Sequence, residues 1–215
     1  MREDAARNRQ RLLDEASALF AEQGISAPLD ELARRAHVSS GTVYRHFPTR
    51  TDLVRALYDR IVDRTDLLME VVVAEPSGWQ AIVAQLDGVV GLIWEFPEAP
   101  AVIAHMRQED PTYRPGDQWI APMVAATQRA QREGTLREDA SPTDVAYLPH
   151  LLGQLVAWPE PQRGLLLARM RAVLLDGLRP AAATRERLPT TPLSIEQLRA
   201  LSENAMSPFI IQENE

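Results

Sequence analysis

The sequence contains no cysteine and no lysine. Without thiols it forms no disulfide, offers no thiolate ligand to a metal and has no cysteine nucleophile, and the redox compartment stays open. All 23 basic residues are therefore arginine. No stretch reaches the roughly 18 apolar residues of a membrane span. The charged residues 1–11 are not followed by the apolar core of a leader peptide, so the expected location is the cytoplasm. No strand-like alternation of apolar and polar residues occurs anywhere, which excludes a sheet and predicts an all-α chain. Also missing are a Gly-rich phosphate loop, a nucleophile elbow, a metal motif and an evident acid/base pair, so neither an enzyme nor a cofactor is expected. His105 and His150, with Glu109 and Asp110, lack the spacing that would pair two histidines on a metal.

What is present is an ordinary globular mixture, 45% apolar and 25% charged over 215 residues, enough for one or two domains. The charge is uneven. Residues 1–60 hold 10 Arg and 9 acids, net +1, whereas residues 61–215 hold 13 Arg and 21 acids, net −8. Proline divides the chain in the same way, with 2 of its 16 prolines before residue 75. Three regions follow: a first module over 1–60, a second over 61–180, and a Pro- and Thr-rich linker, weak helix and loose tail over 181–215.

Helical periodicity places the first helix over 4–23, with Leu12, Ala16, Leu19 and Phe20 on one face and Gly24 as its left-handed stop. A short helix follows from Asp30 to Ala36, then a turn at His37-Val38-Ser39. A second short helix, capped by Ser39 or Ser40, runs to about His46. Thr49-Arg50-Thr51-Asp52 reads as a capping box opening a long fourth helix that reaches about Val73. Beyond Glu75 the pattern continues with an apolar helix over Trp79–Trp94, Pro-punctuated short helices, a helix over Trp119–Glu133 stopped by Gly134, and two helices over Pro142–Ala157 and Pro161–Leu178. The total is about nine.

Residues 29–48 carry the chemistry. Leu32, Ala33, Val38 and Val43 fall where a helix-turn-helix needs inward apolar side chains. The second short helix then presents Ser40, Gly41, Thr42, Tyr44, Arg45 and His46: five hydrogen-bonding side chains, no acid, and a glycine that lets the backbone approach a surface. That is the profile of a DNA recognition helix; the plainer alternative is a polar helix hairpin on a bundle.

The set Leu32-Ala33-(x)2-Ala36-(x)-Val38-Ser39-(x)-Gly41-Thr42-(x)-Tyr44-(x)2-Phe47-(x)2-Arg50-(x)2-Leu53 resembles the signature of TetR/AcrR-family transcriptional regulators. Ala16, Leu19, Phe20 and Gly24 match the end of that family's first helix, and Leu174-Leu175-Asp176-Gly177-Leu178 resembles the end of one C-terminal subtype. The resemblance is specific over residues 9–58 and architectural beyond residue 60. It departs in two places, with His37 where the turn usually has glycine and Pro28 where the second helix usually has a threonine cap. It implies an N-terminal three-helix DNA-binding domain joined by the long fourth helix to a helical ligand-binding and dimerisation domain. Such a protein is a homodimeric regulator, commonly a repressor, on a palindromic operator, released by a small molecule. In this chain Ser40, Gly41 and Thr42 would face base edges. Tyr44, His46 and Arg50 would hold phosphates, Ser39 would cap the helix and touch a phosphate, and Arg45 suits either role. Arg2, Arg7, Arg9 and Arg11 suit a minor-groove arm or a solvated helix face equally. The runner-up reading is a helical interaction module whose helix-turn-helix contacts protein.

For the C-terminal half, Val145, Leu148, Leu151, Leu152, Leu155, Leu165, Leu166, Ala168, Met170, Val173 and Leu174 exceed the apolar surface one small domain covers. Two helices from each of two copies would bury them. Pro-interrupted helices leave gaps, so an apolar or amphipathic effector is expected among Val90, Trp94, Met106, Trp119 and Met123. The four tryptophans are expected mostly in the core.

Overall fold

The computed structural model describes residues 2–180 together with Ser194 and Glu196. The linker, weak helix and tail expected over 181–215 otherwise fall outside the described residues. Among these the chain forms nine α-helices and no strand: α1 Arg2–Gln23, α2 Leu29–Arg35, α3 Ser40–His46, α4 Arg50–Ala74, α5 Gly78–Glu95, α6 Ala99–Glu109, α7 Ile120–Arg132, α8 Pro142–Gly153 and α9 Gln162–Leu178, with short 3-10 segments at Pro115–Trp119 and Gln154–Ala157.

The helix ends follow from local chemistry. At α4 the Asp52 carboxylate accepts the Thr49 backbone N–H at 2.9 Å while the Thr49 hydroxyl accepts the Asp52 N–H at 3.1 Å. Ser141 and Asp144 form the same reciprocal pair at the start of α8. Two amide donors that the first helical turn leaves orphaned are satisfied in each case. Gly24 and Gly134 take positive φ of 77° and 64° past the ends of α1 and α7.

The described chain divides into two compact units, one of residues 2–62 and 96–114, the other of 63–95 and 115–180, so that α4 contributes to both. In the first unit the α1 stripe Leu12, Ala16, Leu19 and Phe20 is buried, as are Leu32, Ala33 and Ala36 of the α2 region, Val43 and Phe47 of the α3 region, and Leu53 and Leu57 of α4. Around α6, Phe96, Val102 and Met106 are buried too. Arg60 stacks on the Phe96 ring, Tyr58 meets Tyr113 edge to face, and Arg55 pairs with Asp110.

In the second unit α5 packs on α7 and α8. Close approach is built in: a Cβ at Gly78 would collide with the Ala130 backbone nitrogen, and one at Gly153 would run into Ile93. The core has separate clusters, one around Ile82, Ala130, Leu136 and Val145, another around Met69, Val72, Ala81 and Ala126, and a third around Leu86, Val90 and Leu152. The expected apolar surface of α8 and α9 splits accordingly. Val145 and Leu152 are buried, and Leu148, Leu155, Met170 and Leu174 pack against the clusters. Leu151, Leu165 and Val173 stand out in solvent, as does Tyr147. Trp158, expected in the core, is 53% exposed, because it follows the last 3-10 segment rather than lying on an inward helical stripe.

Candidate nucleic-acid interface

The α2–α3 unit is held in place from below and from the sides. Leu32, Ala33 and Val43 are buried and supply the apolar floor. At the end of α2, the His37 N–H donates to the Arg34 carbonyl at 3.2 Å and the Val38 N–H to the Ala33 carbonyl at 3.0 Å. That is the crossed pair of a Schellman cap, and it puts His37 at φ 52°, the position where glycine is usual. The histidine adopts the left-handed conformation despite its Cβ, at a steric cost that the buried contacts of α2 and α3 offset.

Ion pairs orient α2. Arg35 bonds Glu22 of α1 at 2.6 Å, and both Arg34 and Arg35 bond Glu31. The Arg34 guanidinium, with Arg35 beside it, holds the Glu31 carboxyl down to about 2. Ser40, the first residue of α3, donates its hydroxyl to the Asp30 carboxylate at 2.7 Å, tying the start of α3 to α2. Ser39 caps α3 by accepting the Thr42 N–H at 3.2 Å, and the Ser39 and Thr42 hydroxyls lie 3.0 Å apart.

What α3 shows to solvent is therefore narrower than its sequence suggests. Gly41, Tyr44 and Arg45 are exposed, whereas Ser40, Thr42 and His46 are half-buried. Tyr44 is 50% exposed, an aromatic with its hydroxyl at the surface of a helix that carries no acid. A Cβ on Gly41 would meet only the Ser39 hydroxyl oxygen, 3.9 Å away, so nothing inside the protein demands glycine there. A surface approaching from outside would.

Arg50, expected at a phosphate, is engaged within the protein through one guanidinium nitrogen. Its Nη1 donates to the carbonyls of Ile25 at 2.6 Å and Ala27 at 2.8 Å, closing the α1–α2 loop onto the start of α4. No sequence period links residue 50 to residues 25 and 27, or residue 40 to residue 30, so only the fold reveals these bonds. Of the N-terminal arginines, Arg9 lies over the Phe47 ring at 5.2 Å and Arg11 bonds Asn8. Both sit on the continuous α1 helix.

The five side chains expected to line an effector site do not share one cluster. Val90 is buried in the Leu86–Leu152 cluster with Trp94 packed on it, and Trp94 Nε1 donates to the Gly153 carbonyl at 3.2 Å. Trp119 packs on the Met69 cluster and donates to Asp66 at 2.6 Å. Met123 is buried on α7, and Met106 is buried in the first unit.

Residues 12–57 match the model of "Bacterial regulatory proteins, tetR family". The transcriptional regulator SrpR of Pseudomonas putida is 35% identical over 88 residues, 40% of this chain and 41% of SrpR, so the match spans about two-fifths of that relative's length. The TetR transcriptional regulator SCO0520 of Streptomyces coelicolor superposes with a TM-score of 0.57 at 27% identity, over 81% of this chain and 99% of that one. The ketosteroid regulator KstR2 of Mycobacterium tuberculosis superposes with a TM-score of 0.68 at 19% identity, over 80% and 94% of the two chains, a likeness of fold.

Proposed function

We propose that the chain, whose residues 12–57 match the TetR-family model, is a transcriptional regulator of that family rather than an enzyme, acting as a homodimeric repressor of a palindromic operator and released from DNA by a small-molecule effector. The observation that carries the DNA half is the exposed, acid-free face of α3, fixed by the Ser39 cap and the Ser40–Asp30 bond. In this reading Gly41 brings the backbone close to the groove, with Ser40 and Thr42 beside base edges. Tyr44 and His46 contact phosphates, Arg45 serves either, and Arg50 holds the loop beneath them. The first module reads DNA; the second assembles the dimer and answers the effector.

Support for assembly comes from α8 and α9. Tyr147, His150 and Leu151 are exposed at helical spacing on one, and Leu165, Arg169, Ala172 and Val173 on the other. Leu165 is 70% exposed. Two such helices from each of two copies bury these stripes against each other and bring two recognition helices onto successive half-sites.

The test is a gel shift of the full chain on the DNA upstream of its own coding sequence, with light scattering of the free protein. The expected result is a dimer that binds a palindrome far more tightly than shuffled DNA. A monomer at micromolar concentration, or equal affinity for both DNAs, would overturn the proposal.

A further inference from the structure

The second unit keeps an open apolar hollow at the point where the chain leaves α9. Glu75, just past α4, and Trp79, Gln80, Val83 and Ala84 of α5 line an open space of about 360 Å³. Trp79, Val83 and Ala84 are half-buried rather than covered. On α4, Leu67 and Val71 lie one turn apart on the face that runs on to Glu75, and they are 53% and 54% exposed. The last turn of α9 arrives at the same place. Leu178 is buried in the Ile82 cluster on which Trp79 packs, and the Arg179 guanidinium lies 3.7 Å from the centroid of the Trp79 ring. Residues past Pro180 therefore set out from beside the hollow.

Those residues carry a segment suited to it. Leu193-Ser194-Ile195-Glu196-Gln197-Leu198 has the spacing of a capping box, with Ser194 as the cap and Gln197 three residues on. Leu193 and Leu198 hold the two positions of a hydrophobic staple around it. Glu196 is helical and exposed, and Ser194 before it is not helical, as that box requires. Ile195, Leu198 and Leu201 then recur at three-residue steps and give the segment one apolar side. A helix this short is marginal in water and gains its stability by packing that side on something.

We infer that the hollow is the docking site of the chain's own residues 193–201, with Leu198 seated on Val83 and Ala84 and with Ile195 and Leu201 to either side of it. Residues 181–193 reach up to about 45 Å when extended, so the tether does not limit access. Tethering also makes the encounter intramolecular, at an effective concentration of about millimolar, so a contact too small to hold a separate protein suffices. A second copy is the poorer occupant: five lining residues fall far short of the roughly 20–30 a side that a stable interface uses. The site uses none of the α8 and α9 side chains assigned to the dimer, so its test does not depend on that assignment. Once docked, the segment covers apolar surface beside Trp79 and braces the end of α4 against α5.

The absence of cysteine gives a clean test, because an engineered pair is then the only source of a disulfide. In the full chain, Val83→Cys with Leu198→Cys is compared under mild oxidation with Gln128→Cys and Leu198→Cys; Gln128 is exposed on α7 of the same unit. The expected result is a disulfide within one chain, formed at least tenfold faster in the Val83 pair and at a rate independent of protein concentration. Non-reducing gels and peptide masses read it. Adding Ile195→Asp and Leu201→Asp to the Val83 pair should remove that advantage. Equal rates in the two pairs, or an advantage that survives Ile195→Asp and Leu201→Asp, would overturn the docking. A Val83 crosslink that forms between chains and rises with concentration would overturn it as well and assign the hollow to a second copy. A second measurement leaves the hollow untouched: backbone hydrogen exchange over residues 194–201 should be at least tenfold slower in the parent than in Leu198→Asp. Equal exchange in the two would also overturn the docking.

Discussion

The two compact units finish their surfaces in different ways. In the first, polar side chains reach across the sequence to close the fold. Arg50 reaches the carbonyls of Ile25 and Ala27, Arg35 reaches Glu22, Ser40 reaches Asp30, and Arg60 reaches Asp14. Among the large apolar side chains described as exposed, Tyr44 alone belongs to this unit. In the second unit Leu67, Val71 and Val73 of α4 stand in solvent, as do Tyr147 and Leu151 of α8, Trp158, and Leu165 and Val173 of α9. An isolated exposed leucine is ordinary, but apolar residues spaced to line up on two neighbouring helices mark a surface built to be covered. Among the described residues the first unit thus exposes one large apolar side chain, on α3, whereas the second exposes several, and the proposed dimer would cover those of α8 and α9.

The sharpest way to break this comparison is to charge the open stripes. Leu151→Glu combined with Leu165→Glu should yield a folded monomer whose operator affinity is about a hundredfold lower or worse, since binding one half-site no longer aids the other. Light scattering and gel shift read both effects; a dimer that persists in the double variant would move the interface elsewhere. Next in size is Arg50→Ala, which removes two charge-assisted bonds from a half-buried position. Stability in urea should fall by about 1.5–3 kcal/mol, with operator and random DNA weakened together. Should stability hold while the salt dependence of binding flattens by about one unit of slope, Arg50 is a phosphate contact after all.

On the reading face, Tyr44→Phe removes one exposed hydroxyl. It should lower affinity for every sequence by about 1 kcal/mol, roughly fivefold, without changing the preferred site. A changed preference in a binding-site selection would make Tyr44 a base reader. At the turn, His37→Gly relieves left-handed strain but frees the unfolded chain, for a net gain of about 0.5–1 kcal/mol. A loss in the urea midpoint would show the imidazole to be engaged at the turn. The smallest effect concerns acid. Glu31 is held at about 2, below its ordinary 4.5, so the stability it supplies is present above pH 4.5 and is lost as pH falls from there towards 2. Glu31→Gln should flatten the acid limb of the parent's stability curve over that window, and an unchanged limb would mean the pairs with Arg34 and Arg35 add nothing.

Much of the fold was legible because its cues are local. The Thr49–Asp52 and Ser141–Asp144 boxes, the stops at Gly24 and Gly134 and the buried α1 stripe each depend on residues within one or two turns of one another. His37 lay in view too, as an uncomfortable turn residue, and its positive φ agrees with the two hydrogen bonds that require it. The polar composition of α3 was likewise visible; its true exposure was not. Ser40 and Thr42 look outward by periodicity, but Asp30 and Ser39 engage their hydroxyls, and the partner at residue 30 carries no periodic mark.

By itself, then, the sequence determined the all-α class, most helix ends and the helix-turn-helix, since hydrogen-bond capping and apolar spacing act over a few residues; the helix expected over Pro142–Ala157 instead ends at Gly153 and tightens into a 3-10 segment. Tertiary structure alone decided what Arg50 holds, which leucines of α8 and α9 face inward, and that α6 joins the first unit. Each of these depends on which distant segments meet, and burial and pairing are properties of that meeting, written in no single stretch of the chain.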